Sequence, residues 1–138
     1  KLDRLTIFAL HPITGTPFTK GPEPDYYAEW IARTRIKFPK LEIIAGIPSN
    51  MLDDAELALR AGANAITKFP AIKYFGTKKA KSIEEQAARA GRRFNGTLTK
   101  LPQINWEQEV ERLSVPQQLK KEICLKLKQY LKRMKSQS

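Results

Sequence analysis

Three short apolar runs, each followed by a stretch of helical periodicity, constrain this chain more than any other feature. The runs are "LTIFAL" (5–10), "LEIIAG" (41–46) and "NAITKF" (64–69). All three are rich in β-favouring side chains and halt at Pro or Gly, the pattern of buried strands. After the first, "GPEPDYYAEWIARTRIKFP" opens with Pro24 and Asp25, closes at Pro39, and repeats Tyr27, Trp30, Ile31, Thr34 and Phe38 at helical spacing. That predicts a helix over 24–37. "SNMLDDAELALRAG" reads as a second helix, capped near Ser49 or Asn50 and ended by Gly62. "KSIEEQAARAGRRF", with Ser82 and Glu85 at capping-box spacing, reads as a third over 82–92. Such alternation with short connections predicts a parallel sheet joined by crossover helices, an α/β fold.

Three parallel strands leave two unpaired edges, which a sheet of this kind ordinarily fills with neighbours. Lys1 also stands only a few residues before the first strand, with no initiating Met. The chain is therefore expected to be the C-terminal part of a larger (β/α) TIM-type barrel, about strands six to eight with their helices. From Thr97 the pattern changes to helices near 105–113 and 115–135, the second with an apolar stripe of Leu119, Ile123, Leu127, Tyr130 and Met134. We divide the chain into a barrel portion, 1–96, and a helical C-terminal extension, 97–138.

Composition narrows the function classes. No apolar run approaches the roughly 20 residues of a membrane span, and no leader of the secretory kind is visible, so a cytoplasmic protein without a membrane partner is expected. The lone Cys124 cannot form an internal disulfide or hold zinc or an iron–sulfur cluster by itself, so no metal site is assigned to this chain. With 25 Lys and Arg against 14 Asp and Glu, the net charge of +11 favours anionic partners. The excess gathers between Lys68 and Arg93 and between Lys120 and Lys135. Neither an aromatic stacking series nor a nucleic-acid motif accompanies it, which disfavours nucleic acid.

"FALHPITGTPF", "RTRIKFPKLEIIAG" and "AGANAITKF" occur in that order, and over residues 5–70 they resemble the C-terminal region of biotin synthase and its radical S-adenosylmethionine relatives, including lipoyl synthase-like enzymes. Those proteins show a P-x-x-G-T-P loop after one strand, an A-R-I-x-x-P helix end leading to a strand that finishes A-G, and an A-G-A-N turn before the last strand; here Thr34 stands at the Ala of the second. The resemblance implies an enzyme whose 4Fe–4S cluster is ligated by a CxxxCxxC loop outside this chain, on an N-terminal half-barrel that would be its partner. Reductive cleavage of S-adenosylmethionine there would generate a 5′-deoxyadenosyl radical, for sulfur insertion at unactivated C–H bonds. Biotin synthases carry an Arg in the strand ending A-G that faces an auxiliary cluster; the matching position here is Glu42. That departure favours lipoyl-type chemistry over ordinary biotin synthesis, with maturases and mutases of the same build as alternatives. An acyl substrate carried on an acidic carrier protein would make that carrier a second partner.

In a barrel the strand ends form the active face. The resemblance accordingly makes His11, Pro12, Ile13 and Thr14 cofactor-binding residues, with backbone near Ile13 against the adenine. Ile47, Ser49 and Lys68, at the other two strand ends, are candidate substrate-cavity residues. Read without the resemblance, "PITGTP" is a turn whose threonines satisfy their own backbone, and His11 is a structural hydrogen-bonder. No general base stands out. The basic last helix is expected to cover the barrel wall with its stripe and to present lysines to solvent; a stand-alone basic α/β module binding nucleic acid or an acidic protein is the alternative to the enzyme.

Overall fold

In a computed structural model describing residues 2–67 and 69–136, with the side chains of Ser49 and Asn50 outside the description, the apolar runs form one parallel sheet in the order β1-β2-β3. β1 is Arg4–Phe8, β2 Glu42–Gly46 and β3 Ala65–Thr67. Arg4 lies opposite Glu42, Phe8 opposite Gly46, and Gly46 opposite Thr67.

The first helix, α1 (Pro24–Lys37), has the expected bounds: proline suits its first turn, and the Phe38 N–H closes its end on the Thr34 carbonyl at 2.8 Å. Its buried residues are Tyr27, Ala28 and Ile31. Trp30 and Phe38 are 51% and 47% exposed, so the expected apolar row is corrected: the helix seats on a narrow strip that small Ala28 lets approach, and the larger rings stay outside. There Tyr26 and Trp30 meet edge to face at 6.3 Å.

The second helical stretch departs from expectation at its start. A 3-10 helix, Ser49–Asp54, precedes α2 (Ala55–Arg60), and the residues before the two are Pro48 and Asp54, neither giving a side-chain cap. The cap arrives from another helix. Gln86, 2% exposed, accepts from the Glu56 N–H at 3.1 Å and donates to the Leu52 carbonyl at 3.0 Å, serving both sides of the junction. Gln86 belongs to α4 (Lys78–Arg89), which follows a four-residue turn of helix, α3 (Ala71–Tyr74). Because α4 begins at Lys78, Ser82 lies inside it and the predicted capping box does not form; the Ser82 hydroxyl instead accepts from Gln86 Nε2 at 3.3 Å.

The chain divides into two compact units, residues 1–69 with 82–95 and residues 70–81 with 96–138. In the first unit, Ile43 and Ala45 are fully buried, whereas their neighbours Glu42 and Ile44 are only half-buried. Right-handed crossovers between strands laid down in the order β1-β2-β3 put the connecting helices on one face, the face of Ile43 and Ala45. The opposite face carries Arg4, Thr6, Phe8, Glu42, Ile44, Ala65 and Thr67, half-buried or exposed, and Gly46, buried beneath the Phe8 ring.

In the second unit, α5 (Trp106–Glu111) is capped by Asn105, whose side chain accepts from the Gln108 N–H at 3.1 Å. Both α3 and α5 pack on α6 (Gln117–Lys135), none of whose described residues is fully buried. Its half-buried row is Lys120, Ile123, Cys124, Leu127, Leu131 and Met134. Leu119 and Tyr130, at 43% and 42% exposure, flank that row, so the expected stripe is rotated. Among the described residues no helix is long and apolar enough to cross a membrane.

Candidate functional site

Because the strands are parallel, the loops after β1 and β2 leave from one end of the sheet, and the Ala9 N–H donates to the Gly46 carbonyl at 3.1 Å to hold them together. The loop after β1 is a tight turn: the Thr16 N–H and hydroxyl both donate to the Ile13 carbonyl, at 3.1 and 2.8 Å. Gly15 has φ +89°, the conformation a type II turn demands at its third residue, and a Cβ there would meet nothing within 4 Å. Two bonds occupy both lone pairs of the Ile13 carbonyl. The Ile13 N–H and the carbonyls of His11 and Thr14 have no intramolecular partner among the described residues. His11 and Thr14 are exposed, Pro12 is half-buried and Ile13 is 65% exposed, so the turn offers bare backbone at an open surface.

The candidate cavity residues fare differently from one another. Ile47 is 1% exposed and belongs to the packed core; Ser49 opens the 3-10 helix, with its side chain outside the described part; Lys68 lies outside the described residues.

Other groups at this end were not foreseen. Phe8, 58% exposed, lays its ring over Gly46, where a Cβ would stand 2.3 Å from the ring. Tyr27 donates its hydroxyl to the Ile7 carbonyl at 2.7 Å; burial pushes its pKa up to about 12, against a smaller lowering by the Gly46 backbone. Between the end of β1 and α1 lies a cavity of about 490 Å³, lined by Ile7, Leu10, Pro22, Tyr26, Tyr27 and Trp30 among others. The pair Tyr26 and Trp30, four residues apart, was the available signal. Asp54 is held above the usual carboxylate range by burial first, then by Asp53 and Asp25. Among the described residues no three His, Cys, Asp or Glu side chains converge on a metal position, and one cysteine does not fit an iron–sulfur cluster, which needs several thiolates.

At the other end of the strands the shared motifs meet. Arg35, from the helix-end motif, donates to the carbonyls of Pro39 at 2.8 Å, Leu41 at 2.7 Å and Gly62 at 3.0 and 3.1 Å, and to the Asn64 side-chain oxygen. That oxygen also accepts from the Ile43 N–H at 2.9 Å. Gly62 (φ +111°) and Asn64 come from "AGAN", so two of the three motifs encode one structural clamp beneath β2 and β3. Glu42 is paired with Arg4 across the strands at 2.7 Å, on the face away from the helices.

Residues 6–92 match the model of the Biotin and Thiamin Synthesis associated domain, and the chain belongs to that family. Over 100 residues, 71% of its length, it is 36% identical to an uncharacterized protein of Methanocaldococcus jannaschii, and the match spans 28% of that relative. No solved structure matches the chain.

Proposed function

We propose that this chain is the C-terminal part of the barrel of a radical S-adenosylmethionine enzyme, its N-terminal half-barrel carrying the cluster-binding cysteines. The observation that carries the reading is the one-sided sheet. Strands in monotonic order with helices on one face are what a closing barrel requires, whereas a doubly wound sheet reverses its order and is covered on both faces. The uncovered face, with Thr6, Phe8, Ile44 and Thr67, would then be barrel interior. The open edge of β1 and the apolar cavity beside it offer the preceding strand and helix a seat. Family membership, and the share of the longer relative that the chain spans, support the same reading.

The turn at 13–16 fits a flat ring: its surface is backbone, Gly15 leaves space above it, and Pro12 stiffens the approach. In this reading the Ile13 N–H and the His11 and Thr14 carbonyls hold the adenine edge. Bound S-adenosylmethionine, cleaved at a cluster held outside this chain, supplies a hydrogen-abstracting radical. Phe8, Thr6 and Ile44 exclude water and orient the target C–H bond. Glu42, paired with Arg4, leaves no free guanidinium at the position matching the biotin synthases' cluster-facing Arg, which supports lipoyl-type sulfur insertion over biotin formation.

The test uses the assembled protein and equilibrium dialysis of S-adenosylmethionine. Gly15→Val, which cannot adopt φ +89° without strain, is expected to weaken binding at least tenfold, at a cost in stability of about 1–3 kcal/mol that leaves the chain folded. Unchanged binding in that variant, or none in the wild type, contradicts the assignment.

A further inference from the structure

Charge is divided unevenly between the two units. Residues 70–81 and 96–138 hold thirteen Lys and Arg against four Glu, so the second unit carries nine of the chain's eleven net positive charges. Internal pairing uses few of them. Lys128 bonds Glu107 at 2.7 Å, Lys120 reaches Glu111 at 3.3 Å, and Arg112 pairs with Glu109 at 2.7 Å. On α6, Lys121, Lys126, Lys132, Arg133 and Lys135 are exposed and have no ion-pair partner among the described residues.

These cations alternate with apolar side chains that the unit does not bury. Leu119, Lys126, Tyr130 and Arg133 follow one another at 7, 4 and 3 residues along one flank of the half-buried row, as their numbers show. On the other flank Leu125, 65% exposed, sits among Lys121, Lys128 and Lys132. A helix of 19 residues presents these flanks over roughly 28 Å.

We infer that the flank of α6 bearing Leu119, Lys126, Tyr130 and Arg133 docks an acidic amphipathic helix of a partner protein. Such a helix offers carboxylates to Lys126 and Arg133 and apolar side chains to Leu119 and Tyr130, so both halves of the pattern are used. A nucleic-acid backbone uses only the charges, and leaves Leu119 against phosphate and sugar with no apolar surface to bury. The composition points the same way: Arg133 is the only guanidinium on α6, and Tyr130 the only aromatic ring for stacking. The inference uses residues of the second unit alone and needs neither cofactor nor barrel partner, so it can fail while the proposed function stands, and the reverse.

The full chain is titrated by fluorescence anisotropy against three probes: a labelled amphipathic peptide with Leu and Glu at helical spacing, a single-stranded RNA 12-mer, and phosphatidylglycerol vesicles. The peptide is expected to bind most tightly. The double variant Lys126→Glu/Arg133→Glu should weaken it at least tenfold, and Leu119→Ser/Tyr130→Ser several-fold, with both variants staying folded because these side chains are exposed. Tighter binding of RNA or vesicles overturns the inference, and so does a peptide affinity that neither variant changes.

Discussion

Arg35 is the residue whose removal the fold should feel most among those not fully buried. Its guanidinium ties the end of α1 to the chain entering β2 and to the turn entering β3, through three backbone oxygens at normal hydrogen-bond distance and the Asn64 side chain. Each bond to a charged donor contributes about 1.5–3 kcal/mol where water is excluded. Arg35 is only half-buried and the bonds share one group, so they do not add. The acceptors are neutral carbonyls, each costing about 1–3 kcal/mol when left buried and unpaired, and partial exposure lets water reach some of them, which places Arg35→Ala at about 3 kcal/mol in all. Arg35→Lys keeps the charge but not the fork, and its ammonium can serve at most one or two of these acceptors, so about 2 kcal/mol should be lost. Against a domain stability of about 5–15 kcal/mol, both values are measurable in urea by far-UV circular dichroism, with unchanged slope. A loss below about 1 kcal/mol for Arg35→Ala, or a lysine variant equal to wild type, would refute the clamp.

Gln86→Leu keeps the volume but strands the Glu56 N–H and the Leu52 carbonyl, and should cost about 2–4 kcal/mol in the same assay; a neutral result would mean that water or Ser82 replaces the amide. For Tyr27, whose pKa rises from 10.0 to about 12 on folding, the folded state holds the phenol proton more tightly than the unfolded chain. The stabilising effect is therefore complete below pH 10 and lost as pH climbs towards 12. Ultraviolet titration should show one phenol ionising late, and Tyr27→Phe should remove both that phenol and its part of the alkaline loss of stability.

Much of the fold was legible in the sequence because its signals are local. Pro24 and Pro39 bracket α1, and each apolar run holds a strand: β1 starts one residue before its run and ends two before the run's end, and β2 and β3 each start one residue later than theirs. What was not legible depends on partners distant in sequence. The Glu56 N–H at the start of α2 finds its acceptor in Gln86, 30 residues on, which no local pattern announces, while the side chains of Ser49 and Asn50 lie outside the description. Ser82 and Glu85 have capping-box spacing, yet α4 starts a turn earlier, at Lys78. Trp30 outranks Ala28 in hydrophobicity, but helix-to-sheet approach favours the small side chain, and no pattern in one strand and one helix reveals that. The site was half visible. Gly15 and Thr16 announced their turn, whereas the Phe8 ring on Gly46 depends on the register of two strands. Arg35, Gly62 and Asn64 stood in the quoted motifs, but only the folded chain brings them together.

The central claim is that the face bearing Thr6, Phe8 and Ile44 is the inside of a barrel. Its most direct measurement is the thiol-labelling rate of Ile44→Cys, in a Cys124→Ser background, compared between the isolated chain and the chain assembled with the cysteine-bearing half-barrel. The account predicts labelling at least tenfold slower in the assembly, with an exposed control such as Ile36→Cys, a position 80% exposed on α1, unaffected. Equal rates at position 44 in the two states would contradict it.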